Sequence, residues 1–279
     1  MNYEEFWQPL QQVYDAGEAR AVARMVLEMG FQLTLSDIIC GKVTQLSAKQ
    51  QAELLEIQRR LLEGEPVQHV LGVADFGSRQ FMVSPSVLIP RPETYELCQW
   101  IVADMSRFEH GFPILDIGTG SGCIACTLAA ELPNAEVTAW DVSEEALNVA
   151  CENAKRASVL VSFEHQDALH APEDHERWRV IVSNPPYICD REKASMERNV
   201  LAYEPHLALF VPDDDPLQFY RAIASYAATA LLRNGSLYFE INSLYAHETE
   251  SMLHSMGFCQ IETREDQFGR QRFVKAVRP

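Results

Sequence analysis

The sequence predicts an α/β protein, a largely parallel sheet covered by helices on both faces, preceded by a small all-helical domain. Three observations predict it. From Pro113 onward, short apolar runs alternate with longer helical stretches, the pattern of strands joined by crossover helices. The first apolar run leads into a glycine loop, Gly118-Thr119-Gly120-Ser121-Gly122, that feeds a helix. Upstream the periodicity is purely helical, from Met1 to about Gly72.

In that first segment Phe6, Leu10, Val13 and Tyr14, then residues 21–29, then Leu54, Leu55, Leu61 and Leu62 recur at turns of a helix. Ser36 or Asp37 is expected to cap one helix and Ser47 another, with Gly30, Gly41 and Gly64 as stops. No catalytic signal lies here, and periodicity does not separate a packing role from a docking role. Residues 73–89 change character. Phe76, Phe81, Val83 and Val87 stand among Gly77, Ser78, Ser84 and Pro85, which predicts a short hairpin. The expected organisation is a helical domain at 1–72, a linking β-hairpin at 73–90 and an α/β domain at 91–279. That last domain opens on Pro90-Arg91-Pro92-Glu93-Thr94, good helix-start chemistry, where a structural cap competes with a role for Arg91 and Thr94 in holding a zwitterionic ligand.

The alternation then runs in order. Residues 114–117 read as a strand, and the glycine loop feeds a helix through Leu132. Residues 136–140 form a strand ending in Asp141, followed by a helix over 143–157 capped by Ser143, with Glu144 and Glu145 in its first turn. Strands are expected at 159–163, with Asp167 beyond the end, at 180–183 and at 236–241. Helices are expected at 216–232 and at 245–256, the latter stopped by Gly257. Residues 258–263 and 272–277, joined by Asp266-Gln267-Phe268-Gly269, close the sheet as a hairpin. Ligands of such a sheet bind at the carboxyl ends of its strands, where Asp116, the glycine loop, Asp141, Asp167 and Asn184 fall.

Composition narrows the partners. The 279 residues are 47% hydrophobic, enough for a substantial core, and 40 acidic against 23 basic residues give a net charge of −17. That charge disfavours nonspecific contact with nucleic acid or an anionic membrane. Without a basic-then-apolar start or an apolar run long enough for a bilayer, the chain is expected to be soluble and cytoplasmic. Seven scattered cysteines suggest reduced thiols rather than a disulfide framework. Cys123 and Cys126 form a C-x-x-C inside a helix with no second pair, so packing is favoured over redox or metal chemistry, and no histidine pattern suggests a metal. Asp213-Asp214-Asp215 reads as a solvated loop before a helix.

The most informative stretch is Val180-Ile181-Val182-Ser183-Asn184-Pro185-Pro186-Tyr187. A buried strand runs into two prolines, so pairing stops where Asn184 sits and a polar amide is held at the sheet edge. The Asn184 side-chain carbonyl and the Pro185 main-chain carbonyl would each accept one N–H of a planar –NH2 group, with the prolines fixing the angle between them. Tyr187 offers a ring face to a flat amide or base. Methyl transfer to a planar nitrogen is the chemistry that wants this arrangement. The glycine loop has the spacing G-x-G-x-G, unlike a dinucleotide or ATP-phosphate cradle, and Asp141 ends the next strand where it would accept two ribose hydroxyls. A ligand with ribose and adenine but no phosphate fits, and S-adenosylmethionine is such a ligand.

With these motifs assembled, the chain resembles the HemK/PrmC family of protein-(glutamine-N5) methyltransferases. The resemblance covers residues 66–94, including Leu88-Ile89-Pro90-Arg91-Pro92-Glu93-Thr94, then 115–122, Asp141, 183–188, Glu204-Pro205, Ala208-Leu209, Phe268-Gly269 and Arg272, with the helical domain in outline. Asn-Pro-Pro-Tyr is shared with other amino methyltransferases; the Ile-Pro-Arg-Pro-Glu-Thr segment narrows the match to this family. The resemblance implies a class I S-adenosylmethionine-dependent methyltransferase fold, Rossmann-like, with a mostly parallel seven-stranded sheet. It implies that Gly118, Thr119, Gly120, Ser121, Gly122, Asp141, Asp167, Ala168, Arg91, Thr94 and Asn184 contact the cofactor. Asn184, Pro185, Pro186 and Tyr187 would hold the glutamine of the Gly-Gly-Gln segment of class I peptide chain release factors, with the helical domain docking the rest. Three positions depart from the family pattern: Tyr95 in place of an acid, Ala168 in place of a bulkier residue, and Asn242 where glycine often follows Glu240. The rival readings are a DNA adenine-N6 methyltransferase, disfavoured by the charge of −17, and a non-catalytic release-factor-binding module, disfavoured by intact Gly118, Asp141 and Asn184.

Overall fold

The computed structural model describes residues 1–279. The chain forms two compact units, Met1–Val73 with Glu197–Tyr203, and Ala74–Met196 with Glu204–Pro279.

The first unit is built on α1 (Tyr3–Trp7), α2 (Ala16–Met25), α3 (Leu35–Ile39), α4 (Ala48–Leu62) and α5 (Val67–Leu71). These helices are too short to persist alone, and their apolar stripes meet in one core around Phe6, Leu10, Leu27, Leu54 and Leu61. Side-chain caps start α1 to α4. Asp15 accepts the N–H groups of Gly17 and Glu18, and Ser47 with Gln50 forms a reciprocal capping box on α4. The cap of α3 is Thr34 rather than Ser36 or Asp37, because the extended residue precedes the turn by one and Asp37 serves as its reciprocal partner. Gly30 does not stop its helix either. It lies inside a wide helical turn, Val26–Gly30, and the left-handed residue is Gln32 at φ 56°. The short helix Arg198–Tyr203 belongs to this unit, where the Tyr203 hydroxyl donates to the Glu63 carbonyl.

The second unit runs β1 (Val73–Phe76), β2 (Arg79–Met82), α6 (Pro92–Met105), β3 (Phe112–Ile117), α7 (Cys123–Glu131), β4 (Ala135–Asp141), α8 (Glu144–Ala157), β5 (Val161–His165), β6 (Trp178–Ser183) and β7 (Ile188–Cys189). After the helix Arg198–Tyr203, α9 of the chain, it continues with β8 (Phe210–Val211), α10 (Gln218–Ala230), β9 (Leu231–Glu240), α11 (Ala246–Ser255), β10 (Cys259–Glu265) and β11 (Gln271–Val277). Seven strands form one sheet in the order β10-β11-β9-β6-β3-β4-β5, parallel from β9 to β5, with β11 and β10 antiparallel. Strand alternation sorts side chains between two cores. Ile114, Val180, Val182 and Tyr238 pack with Trp100 and Ile101 of α6 and Ile124 and Leu128 of α7. Leu115, Ile117, Ile181, Leu237 and Phe239 pack with Tyr220 and Ile223 of α10 and Leu253 of α11.

Tertiary pairing shifts several expected boundaries. Ser158 closes α8 in a left-handed conformation and Leu160 is 93% exposed, so the apolar run beginning at Val159 enters the sheet only at Val161. Residues 231–235 extend β9 because Leu231 pairs with Trp178 ahead of a register shift. The β1–β2 hairpin is built into the second unit instead of standing as a bare connector. Phe76 and Phe81 lie in the α6–α7 core, while the Met82 N–H donates to Asn153 Oδ1 (2.7 Å) and Asn153 Nδ2 returns a bond to the Met82 carbonyl (3.0 Å). Tyr95, which departs from the family pattern, packs here. Its ring meets Phe76 edge-on at 5.4 Å and covers Gly77, where a Cβ would come within 2.3 Å of the ring.

A carboxyl group sits inside the α6–α7 core. Asp116 is fully buried, and its Oδ2 accepts the Thr119 hydroxyl (2.6 Å) and the Ala125 N–H (3.2 Å), while Oδ1 has no protein partner. Burial raises its pKa from a usual 3.8 to about 7, and the two hydrogen bonds only partly oppose that rise.

Two outcomes follow from this packing. Gly77→Ala forces both a left-handed alanine and a clash, and should lower unfolding free energy in urea by about 3 kcal/mol; in a Tyr95→Ala background the loss should shrink to the backbone part. For Asp116 the folded pKa exceeds the unfolded one, so the stabilisation present below pH 4 is lost as pH rises through about 7. Asp116→Asn removes that dependence. Between pH 4.5 and 7.5 the variant should gain on the unsubstituted protein by about 3 kcal/mol in urea unfolding, since each pH unit is worth about 1.4 kcal/mol.

Candidate active site

The site lies in the second unit, at the carboxyl ends of its parallel strands. After β3 the chain turns outward through β4 to β5, and it then returns to the other side of β3 as β6. Loops leaving β3 and β6 therefore diverge, and a crevice opens between them. A cavity of about 280 Å³ occupies it, lined on one side by the glycine loop and Asp141 and on the other by residues 183–186, with apolar walls from Ile117, Phe219 and Ile223. That is near the lower end of small-ligand pockets.

Register brings the two sides level. Ile117 pairs with Trp140 in β4 and with Ser183 in β6, so Gly118, Asp141 and Asn184 all lie one step beyond paired residues. The Gly118 and Thr119 N–H groups donate to the Trp140 carbonyl (both 2.9 Å), and the Gly120 N–H donates to Asp141 Oδ2 (2.8 Å). Asp141 Oδ1 accepts the Ser143 N–H (2.9 Å), which leaves lone pairs on both oxygens for a ligand. Burial holds the Asp141 pKa above its ordinary value, against the N–H bonds from Ser143 and Gly120.

The glycines of the loop serve different ends. A Cβ at Gly118 or Gly120 would meet nothing within 4 Å, so the backbone there presents bare edges to open space. At Gly122 a Cβ would stand 2.9 Å from the Ala150 Cβ, so that glycine lets α7 approach α8. Bare backbone, an acid with spare lone pairs and apolar walls suit a nucleoside-like ligand that carries no phosphate, and S-adenosylmethionine fits this description. Further along the rim, Asp167 accepts the Leu169 N–H (2.8 Å) and pairs with His170 Nδ1 (2.7 Å), and Ala168 lines the wall. Burial pushes the Asp167 carboxyl up, yet those two bonds outweigh it and the pKa is lowered. Cys123 and Cys126 are buried in α7 with thiols pushed up to about 12 by burial, which is packing chemistry.

On the opposite side, Asn184 donates from Nδ2 to Thr94 Oγ1 (3.2 Å), and the Thr94 hydroxyl donates to Glu240 Oε2 (2.6 Å). Glu240 Oε1 accepts the Tyr187 hydroxyl (3.0 Å), on which Arg272 also bears at 3.5 Å. Burial raises the pKa of Glu240 and of Tyr187; for the glutamate, the Thr94 bond and the Arg272 charge work against the rise. Asn242 donates from Nδ2 to the Tyr187 carbonyl (3.1 Å) and to Glu192 (3.1 and 3.3 Å), so this departure from the family pattern ties down the loop main chain. Arg91 pairs with the buried Glu204 carboxylate (2.5 Å), which also accepts the Ile89 N–H (3.1 Å).

The sequence-derived residues Gly118, Thr119, Gly120, Ser121, Asp141, Asp167, Ala168, Arg91, Thr94, Asn184, Pro185 and Pro186 all line this one cavity. Gly122 and Tyr187 stand behind it, Gly122 at the helix crossing and Tyr187 with its hydroxyl turned to Glu240. Thr94 lines the cavity with its hydroxyl engaged on both sides within the protein, donating to Glu240 and accepting from Asn184. Sequence reasoning did not place Glu240 or Glu204 in the site. A carboxylate ending an otherwise apolar strand was the available signal for Glu240.

Comparison with known proteins identifies relatives of both parts of the chain. Residues 8–72 match the PrmC N-terminal domain family, and residues 99–204 match the methyltransferase small domain family. The chain is 44% identical to a release factor glutamine methyltransferase of Bacteroides thetaiotaomicron, over 97% of each chain. It is 40% identical to a protein of the same name from Flavobacterium psychrophilum, over 98% of this chain and 97% of the other. A crystal structure of a methyltransferase from Pyrococcus furiosus, 17% identical, superposes with a TM-score of 0.50 over 83% of this chain and 98% of that one, and shares the fold. With its helical and α/β parts both matched and nearly its whole length aligned at such identity, the chain belongs to the release factor glutamine methyltransferase family.

Proposed function

We propose that this protein transfers a methyl group from S-adenosylmethionine to the N5 amide nitrogen of the glutamine in the Gly-Gly-Gln segment of class I peptide chain release factors, in support of translation termination. The observation that carries the reading is that Asn184 and Pro185 line one cavity with the glycine loop and Asp141, the Asn184 amide nitrogen being turned to Thr94. The cofactor supplies an electrophilic methyl group on a sulfonium. Residues 118–121 would give it a surface to lie on, bare at Gly118 and Gly120, while Asp141 would accept its ribose hydroxyls and Asp167 with Ala168 would border its base. Arg91, fixed by Glu204, keeps N–H groups for a carboxylate.

An amide nitrogen is a poor nucleophile, so positioning must lower most of the barrier. The Asn184 and Pro185 carbonyls each accept one N–H of the glutamine amide and turn the nitrogen toward the methyl donor. As positive charge grows on that nitrogen the same two oxygens bind its hydrogens more strongly, which stabilises the transition state selectively, and one of those hydrogens then leaves to solvent as a proton to give the neutral N-methyl amide. Pro186 walls the amide in and excludes water, with Tyr187 behind it holding the loop through Glu240. The helical unit serves as the dock for the rest of the release factor; it exposes Ile39 at 77% and Leu55 at 54%, apolar surface suited to a protein partner. No helix is long and apolar enough to cross a membrane.

Mass spectrometry of a class I release factor incubated with the protein and S-adenosylmethionine tests the proposal. A single methyl on the Gly-Gly-Gln glutamine is expected, and a methyl elsewhere, or none, would refute it. Asn184→Ala should lower kcat by about 10²- to 10³-fold while calorimetry finds cofactor affinity within about twofold. Asp141→Ala should behave the other way, weakening cofactor binding by about 10- to 100-fold through loss of charge-assisted hydrogen bonds.

A further inference from the structure

We infer that Thr94 and Glu240 are positioning residues that set the orientation of the Asn184 amide, so that its carbonyl oxygen and not its NH2 group faces the methyl acceptor. The inference rests on the reading of the site given above. The two ends of an asparagine amide have nearly the same shape, and Pro185 and Pro186 constrain the backbone without choosing between them. The choice is decisive, because an amide turned the wrong way would present a donor to the N–H groups of the glutamine.

A carboxylate settles the matter, since it only accepts. Glu240 ends β9 on the sheet face covered by α6, and is 2% exposed. The pairing of Ser183 with Phe239 brings the end of β9 level with Asn184, and the first turn of α6 places Thr94 between them. The single hydroxyl hydrogen of Thr94 is committed to Glu240 Oε2 at 2.6 Å, so Thr94 offers Asn184 only lone pairs. Asn184 therefore turns Nδ2 to Thr94 at 3.2 Å, and Oδ1 is left for the cavity.

The other arm has the same polarity. Tyr187 commits its one hydrogen to Glu240 Oε1 at 3.0 Å, so Arg272 approaches the phenol oxygen as a donor at 3.5 Å while Asp266 holds the guanidinium at 3.3 Å. Both hydroxyl donations run toward Glu240. Through Thr94 the carboxylate orients the group that grips the substrate, and through Tyr187 it holds the loop on which that group stands. Neither Thr94 nor Glu240 needs to touch the reacting atoms.

The test compares Thr94→Val, Thr94→Ser and Glu240→Gln in steady-state methylation of a class I release factor, with calorimetry of S-adenosylmethionine binding to each. Thr94→Val keeps the shape and removes the hydroxyl; kcat should fall by about 10- to 100-fold, with cofactor Kd and release factor KM within about threefold of the unsubstituted protein. Thr94→Ser restores the hydroxyl and should recover most of kcat. Glu240→Gln places a donor where only acceptors stood, and should lower kcat by a similar factor. The inference is overturned if Thr94→Val turns over within threefold of the unsubstituted protein, or if Thr94→Ser is as impaired as Thr94→Val. It is equally overturned if the cofactor Kd of Thr94→Val rises in step with its loss of rate, which would make Thr94 a cofactor contact. Absence of methylation by the unsubstituted protein would overturn the proposed function and this inference together, whereas undiminished methylation by Thr94→Val overturns this inference alone.

Discussion

β3 and β6 pair in parallel, Ile117 opposite Ser183, and from that shared level the chain departs to opposite sides of the sheet. One departure packs α7 on the face of Ile114 and Val182; the helix α10, between β6 and β9, packs on the face of Leu115 and Ile181. The loops diverge, and in the crevice they leave a bare glycine turn faces a rigid proline turn. The rest of the site follows from that divergence. Asp141 reaches it because β4 adjoins β3, and Glu240 because β9 adjoins β6.

Burying so many polar groups beside an apolar sheet is costly unless each finds a partner. For three carboxylates around the cavity the structure meets that demand with networks of single polarity. Asp141 gathers backbone N–H groups from Gly120 and Ser143, Glu204 gathers Ile89 and Arg91, and Glu240 gathers two hydroxyls. Each carboxylate fixes a segment that comes from elsewhere in the chain. Asn242 adds a neutral clamp, tying the Tyr187 carbonyl to the loop that carries Glu192. Rigid positioning suits a reaction in which no strong base is needed and alignment carries most of the catalytic burden.

The three departures from the family pattern have separate physical explanations. Tyr95 is accounted for by Gly77, whose missing Cβ leaves room for the ring. Asn242 replaces a flexible residue with a hydrogen-bonding one. Ala168 leaves its stretch of cavity wall with a short side chain.

By itself the sequence determined the periodicities, the breakers and the chemistry of the loops, because these depend on residues close together in the chain. The strand-and-helix alternation after Pro113, the Ser143 and Ser47 caps, the glycine loop with Asp141 beyond the next strand, and the Asn184 turn were all legible in this way. Tertiary structure decided what depends on residues far apart. It chose Thr34 as the cap of α3, carried β9 back to Leu231 through pairing with Trp178, and built the hairpin into the α/β core through Asn153. It also placed the Thr94 hydroxyl between Glu240 and Asn184. A threonine hydroxyl takes its direction from whatever accepts its one hydrogen, and here that acceptor lies 146 residues away.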